Sequence, residues 1–363
     1  MPFTALPSAA PPTLLTAAAD PAAAGSSVGT PTLWAVSIAA VLALVLLDFL
    51  ITRRPHEVSM REALGWSAFY VALPVAFGAW IWSRHGSQIG VEYYTGYLVE
   101  KSLSVDNLFV FMLLLAAFAV PKELQQRVLL IGVVGALALR GVFIALGAQM
   151  LAHFDWTFLL FGLVLLVTGV KLLRDAVQGH DHEIDISSMR SVRLLRRLMP
   201  VKDGYHGTRM TVRDGARRAL TPLALVTVAI LATDIVFAVD SVPAVYGITG
   251  DPYLVFATNA FALLGLRALY FVLEGALSKL VHLGYGLAAI LGFIGVKLVL
   301  HWAHGIWPAT PEVPTLASLG VIVGILAVVT VTSLRASKRA ELAAAEAATH
   351  GAAEPEREAA RGA

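Results

Sequence analysis

The sequence predicts an all-α polytopic membrane protein of about nine transmembrane helices. Three observations carry that expectation. The chain of 363 residues is 57% hydrophobic and only 14% charged, with a mean hydropathy of +0.73. A soluble domain is roughly a quarter charged, so this chain has too few polar residues to cover a globule of its size. The apolar residues also fall into separate runs near 20 residues long, the length that crosses about 30 Å of hydrocarbon. Finally, Lys and Arg concentrate in alternate connections between those runs, as they do where cytoplasmic loops alternate with external ones.

Residues 1–31 are rich in Ala, Pro, Ser and Thr, carry one charge, Asp20, and lack the basic start of a signal peptide. They read as a disordered extracytoplasmic tail. A transmembrane domain follows over 32–335. Its runs are Leu33–Ile51, Leu64–Trp82, Tyr93–Val120, Val128–Met150, Trp156–Leu173, Leu220–Tyr246, Tyr253–Leu273, Val281–Leu300 and Leu316–Leu334. The third and sixth exceed the minimum length, which predicts tilt or a break. Past 336 an Ala/Glu/Arg-rich tail closes the chain; that composition fits a surface helix or a disordered segment.

The first connection holds Arg53, Arg54 and Arg61; the third, Lys122 and Arg127; the seventh, Lys279; the tail opens with Arg335, Lys338 and Arg339. The fifth, 174–219, is the most basic, with Arg190, Arg193, Arg196, Arg197, Lys202, Arg209, Arg213, Arg217 and Arg218. The connections between are nearly devoid of positive charge. The pattern predicts a plasma-membrane (inner-membrane) protein with the N-terminus outside and the C-terminus in the cytoplasm. The basic fifth connection reads as an anchor to anionic lipid. It is short and lacks interleaved aromatics, so no nucleic-acid partner is expected. Its start, His180-Asp181-His182-Glu183, is a passable metal-binding string, although a solvated loop is the simpler account. Nothing in the sequence selects an oligomeric state.

Two segments resemble each other. Glu100, Asp106 and Asn107 of the third run align with Asp234, Asp240 and Ser241 of the sixth; in each, the acids are six residues apart. Downstream, Leu139-Arg140-Gly141 matches Leu266-Arg267-Ala268, and Gly169-Val170-Lys171 matches Gly295-Val296-Lys297. Each unit therefore has three spans, about 92–175 and about 220–301. A three-span unit repeated in tandem enters the membrane from opposite sides, giving an inverted-topology repeat with a site at the midplane.

A charge at the centre of a membrane helix costs roughly 2.5–3.5 kcal/mol, so Glu100, Asp106, Asp234, Asp240, Arg140 and Arg267 together cost on the order of 15–20 kcal/mol unless paired. Arg140 and Arg267 are the expected charge partners of the acids. Four carboxylates against two guanidiniums leave an acidic excess, which is what a cation site or proton relay needs. In an unbroken helix a separation of six turns the side chain by about 240°, whereas seven brings it nearly back to the same face. Glu100 with Asn107, and Asp234 with Ser241, then align; a break near Ser102–Ser104 or Thr233 would gather all the oxygens. Pro243 can free carbonyls in the turn before it. The candidate metal-binding set is Glu100, Asp106, Asn107, Asp234, Asp240 and Ser241. With no cysteine in the chain, thiol redox chemistry and thiolate sites are excluded, and oxygen-only coordination favours Mg²⁺, Ca²⁺ or Mn²⁺.

The strings Glu100-Lys-Ser-Leu-Ser-Val-Asp106-Asn107 and Ala232-Thr-Asp234-Ile-Val-Phe-Ala-Val-Asp240-Ser241-Val-Pro243-Ala resemble the two signature segments of the TerC family of membrane proteins. The similarity runs from about Trp34 to Leu334. It implies a protein distantly similar to the LysE group of exporters, associated with manganese export, metal or alkaline stress and tellurite resistance. By motif position the functional acids would be Glu100, Asp106, Asp234 and Asp240.

Three readings follow. The first is a divalent-cation exporter, with Mn²⁺ as cargo, no tightly bound cofactor, membrane lipid as its surroundings and protons as a coupling ion. The second is a non-transporting stress-response scaffold, as in tellurite resistance, whose buried charges are internal glue. The third, an intramembrane aspartyl enzyme, lacks a Gly-Xaa-Gly-Asp motif, and the chain is not read as an enzyme. Among lesser features, Asp48 reads as interfacial, His301 and His304 as part of an outer aromatic belt, and Lys171 and Lys297 as snorkelling side chains.

Overall fold

The structure, a computed structural model, describes residues 27–52, 59–178, 190–198, 200–202, 204–214, 217–273 and 282–361. The fold is all-α and polytopic, as expected. The helices are α1 (Pro31–Thr52), α2 (Met60–His85), α3 (Ser87–Ala117), α4 (Lys122–His153), α5 (Thr157–Gln178), the short α6 (Arg190–Leu198), α7 (Pro222–Tyr246), α8 (Pro252–Leu264), α9 (Leu266–Leu273), α10 (Leu283–Ile306) and α11 (Thr315–Arg361). Among the described residues, eight stretches are long and apolar enough to cross a membrane, with α8 and α9 counted as one. Helix α3, at 31 residues, is the ninth expected span. Its composition departs from the others because it carries Glu92, Glu100, Lys101 and Asp106.

Local chemistry sets the helix ends. Pro252 opens α8, where its missing N–H is harmless, and Asp251 caps it by accepting from the Tyr253 N–H at 2.9 Å. The same carboxylate accepts from the Ser27 hydroxyl and the Val28 N–H, each at 2.6 Å. Residues 27–30 are therefore tied down, which shortens the tail expected to be free; residues 1–26 lie outside the described set. Helix α3 ends where Ala119 takes φ 48° and the Val120 N–H returns to the Leu115 carbonyl at 2.9 Å. That is a left-handed cap closed by a six-to-one bond. Helix α11 runs on as helix through the Ala-rich tail to Arg361.

The layering follows burial. Only 6% of the α1 window is buried, against 72% of the α8–α9 window. Exposed Leu42, Val75, Leu146, Val167 and Val236 give the outer surface the apolar character that lipid requires. Around the centre, α4 runs parallel to α7, with Gly132 beside Ile230 and Gly147 beside Tyr246. Helix α3 runs parallel to α8, with Gly96 beside Thr258 and the Lys101 ammonium donating to the Ala262 carbonyl at 3.4 Å. Helices α3 and α7 are antiparallel, as Glu92 with Thr249 and Gly96 with Val245 show.

Helices α5 and α10 are also antiparallel and approach closely. A Cβ on Gly162 would lie 2.9 Å from the Gly295 carbonyl, and one on Gly295 would lie 3.0 Å from the Gly162 carbonyl. Gly169 meets Ala288 and Gly292 in the same way. Small residues let the two backbones touch, the usual means of packing helices where lipid removes a hydrophobic drive.

One expectation is corrected here, and one connection proves more ordered than a simple loop. Helices α3 and α7 are continuous through Ser102–Ser104, Thr233 and Pro243. The break falls instead at Gly265, between α8 and α9, where a Cβ would lie 3.0 Å from Tyr70 Cβ of α2 and 3.3 Å from the Lys101 ammonium. The basic connection is also more structured than a lipid-associated loop. Strands β1 (Thr211–Asp214) and β2 (Arg217–Leu220) form an antiparallel hairpin, and Val192 of α6 is buried in the same cluster as Leu108, Phe111 and Leu223. The Tyr205 hydroxyl donates to the Phe118 carbonyl at 2.7 Å, and burial raises its phenol above the ordinary value, which keeps it a donor. The His180–Glu183 string lies outside the described residues.

Candidate functional site

The centre of the bundle is built on Arg140, the bulkiest fully buried side chain among the described residues. It projects from α4 between α3, α7 and α8. One terminal nitrogen, Nη1, donates to Glu100 Oε1 of α3 and, at 2.9 Å, to Asn259 Oδ1 of α8. The other, Nη2, lies 3.6 Å from Asp234 Oδ1 of α7. With its amide oxygen facing the guanidinium, Asn107 accepts from Nη2 at 2.9 Å and donates to the Leu103 carbonyl at 3.0 Å. Glu100, Asp234, Asn107, Asn259 and Ser241 are all buried.

Helical periodicity accounts for which predicted residues meet. Glu100 and Asn107, seven apart, share the face of α3 that meets Arg140. Asp234 and Ser241, seven apart, are both buried on α7. Carrying the α3–α7 register inward from Glu92–Thr249 and Gly96–Val245 sets Glu100 level with Ser241 and Asn107 level with Asp234. Asp106 and Asp240, six residues along, are turned off these faces by about 240°. Both are only partly buried, and Asp240 Oδ1 accepts from the Thr168 hydroxyl of α5 at 2.8 Å. The expected gathering of four carboxylates thus becomes one buried pair with two acids on neighbouring faces. Among the described residues, no three His, Asp or Glu side chains converge as a ready-made metal cage.

The central pair retains acceptor capacity. Glu100 Oε2, both Asp234 oxygens and the Ser104 and Ser241 hydroxyls are buried without a hydrogen-bond partner. With both carboxylates ionised, one guanidinium would balance only one of them, and the remaining charge in a low-dielectric site would attract a cation strongly.

The second arginine behaves differently. Arg267, at the start of α9, was expected to face the motif acids. Its guanidinium instead clasps Asp48 of α1, Nε donating to Oδ2 at 2.8 Å and Nη2 to Oδ1. Asp48 is buried against the guanidinium, and a buried charge needs its counterion. Two participants escaped the sequence reading: Asn259, the lone amide in an apolar span, and Lys101, set beside Glu100 but turned toward the Gly265 break. A solitary polar side chain in a membrane run is itself a signal that a partner waits on another helix.

Comparison with known proteins agrees with this architecture. The sequence profile described as "Integral membrane protein TerC family" matches residues 85–341. The chain belongs to the TerC family. A Myxococcus xanthus relative named "Uncharacterized membrane protein" is 42% identical over 322 residues, covering 88% of this chain and 98% of its own length. A Mycobacterium tuberculosis relative with the same description is 42% identical over 326 residues, covering 86% and 82%. The Escherichia coli K12 relative named "Putative membrane-bound redox modulator Alx" is 39% identical over 312 residues, covering 83% and 94%. No solved structure matches the chain.

Toward one end of the bundle lies a cavity of about 1080 Å³ lined by Trp82, Gln88, Lys297, His301 and Glu312 among others. His301 Nδ1 lies 2.9 Å from Glu312 Oε1, both half exposed, and His304 meets the Thr310 carbonyl at 2.7 Å. These histidines have protein partners.

Proposed function

We propose that this TerC-family protein is a divalent-cation exporter of the plasma membrane, with Mn²⁺ as its leading cargo, rather than an enzyme. One observation carries the reading: a buried carboxylate pair, Glu100 and Asp234, that shares the single guanidinium of Arg140 and leaves three of its four oxygens without a hydrogen-bond partner. Arg140 then serves as a tethered internal cation. Cargo entering the site takes Glu100 and Asp234 oxygens, with Asn107, Asn259 and Ser241 close by as neutral oxygen ligands, and the guanidinium yields. The set is all oxygen, which suits Mn²⁺ and Mg²⁺ and disfavours soft ions. Asp106 and Asp240, on adjacent faces, supply further carboxylates for a passing cation or for protons moving the other way.

The packing supports alternating access by an inverted repeat. Taking Gly169 with Gly295 as equivalent positions makes Gly162 equivalent to Ala288. The observed contacts, Gly162 on Gly295 and Gly169 on Ala288, are then reciprocal, as two-fold-related elements make them. The parallel pairs α3–α8 and α4–α7 exchange under the same operation. Rocking one unit against the other around the central acids would expose them to each side in turn. The charge alternation favours an external N-terminus and a cytoplasmic C-terminus.

A second reading keeps the charges as glue, and the four contacts made by Arg140 favour it. The redox label on some relatives offers no thiol mechanism here, since the chain has no cysteine. Elemental analysis of manganese-loaded cells separates the two main readings, comparing wild type with Glu100→Gln, Asp106→Asn, Asp234→Asn and Asp240→Asn at matched membrane abundance. An exporter lowers cellular manganese, and the central-pair variants do not. A scaffold leaves manganese unchanged in every case, and its variants lose abundance instead.

A further inference from the structure

Arg140 and Arg267 occupy equivalent places in the two repeats, yet only Arg140 reaches the central acids. Two features of the fold divert Arg267. A one-residue irregularity at Gly265 separates α8 from α9 two residues before it, whereas α4 continues unbroken through Arg140. And α1, which lies outside both repeats and outside the family-matched segment 85–341, presents Asp48 to the guanidinium in a two-point clasp. Both partners are buried, so the pairing is shielded from solvent. Helix α9 still packs against α3 and α4, the helices that carry Glu100 and Arg140.

We infer that Asp48 is a positioning residue: it holds Arg267 away from Glu100 and Asp234 and so keeps the central site one positive charge short. The inference rests on the reading of those two acids as the cation site. With Arg267 clasped, the pair keeps its negative excess and accepts a cation. With Arg267 released, its guanidinium, on a helix that packs against α3 and α4, would be free to turn toward the unpartnered Asp234 and Glu100 oxygens, neutralise the site and compete with cargo. The element outside the repeats thereby sets the charge of the centre, and the asymmetry between the repeats is maintained by one carboxylate.

The test uses full-length protein carrying Asp48→Asn, Arg267→Gln, or both. Asn keeps the shape of the Asp48 side chain and removes the charge that holds the guanidinium. Manganese extrusion is expected to fall at least about tenfold in Asp48→Asn, the scale of one added like charge in a low-dielectric site. It should recover in the double variant, where no freed guanidinium remains. Extrusion by Asp48→Asn at the wild-type level, or equal impairment of single and double variants at matched folded abundance, overturns the inference. A wild type that leaves manganese unchanged sinks the transport reading instead. The positioning claim is then decided by thermal unfolding of purified protein in detergent. The shifts caused by Arg267→Gln and Asp234→Asn should add in the wild-type background and become non-additive in the Asp48→Asn background. Additive shifts in both backgrounds overturn it.

Discussion

The surroundings of Arg140 and Arg267 make an instructive contrast, because the two arginines have equivalent sequence contexts and opposite fates. Arg140 stands on an unbroken helix at the meeting of four helices and is shared among two carboxylates and two amides. Arg267 begins a short helix after a break and is held by a single carboxylate at the edge of the bundle. A buried pair is itself weak evidence for stability, since desolvation offsets much of its attraction. What a shared guanidinium does is let two acids lie close together in a dry site. What a private one does is pin one helix to another.

The sharpest test of that contrast is to remove each arginine in turn. Arg140→Gln leaves Glu100 and Asp234 facing each other with no counterion, and should destabilise the protein by about 3–5 kcal/mol. Thermal unfolding in detergent, or loss of the monodisperse peak in size-exclusion chromatography, would register it. Arg267→Gln should cost roughly half as much, because Asp48 lies near the end of α1, which closes at Thr52, and can regain water there. Equal losses would show that the two surroundings are energetically the same and that the contrast is only geometric.

The next largest effect concerns the α5–α10 contact, the symmetric counterpart of this asymmetry. Gly162→Leu forces a side chain into the Gly295 carbonyl 2.9 Å away and should cost about 1–3 kcal/mol. Gly292→Ala, where a Cβ meets nothing within 4 Å, should leave the unfolding temperature unchanged. Smaller again is Asp240→Asn. It weakens one hydrogen bond from Thr168 on a partly exposed face, so about 0.5–1.5 kcal/mol is expected. A loss as large as that of Arg140→Gln would mean that Asp240 belongs to the central network after all. Smallest is Glu312→Gln, which removes an exposed pairing with His301 and should change stability by under about 1 kcal/mol.

Much of this was legible in the residues. Runs of 20 apolar residues name their own structure, because hydrocarbon leaves the backbone no partner but itself. The helix ends therefore fell within about six residues of the apolar runs, except that α11 continues through the tail to Arg361. The seven-residue spacing placed Glu100 with Asn107, because helical periodicity is local and an unbroken α3 preserves it. The expected break in α3 or α7 failed because the cluster needed none: a long guanidinium from a third helix bridges the acids without unwound backbone. The β-hairpin was missed because its strands are short and basic, with their support on the ends of α3 and α7.

The sequence by itself determined the fold class, the helical segments, the rare charges and the likeness of the two repeats, all consequences of local hydropathy and spacing. Which carboxylate meets which arginine was decided only by the tertiary structure. An isolated charge in an apolar run requires some partner, but several helices offer one. The choice falls to packing: Gly265 ends α8 two residues before Arg267, and α1 lies where Asp48 can reach it. The two arginines share a Leu before and a small residue after, and Gly265, where the first repeat has Ala138, does not by itself name a partner.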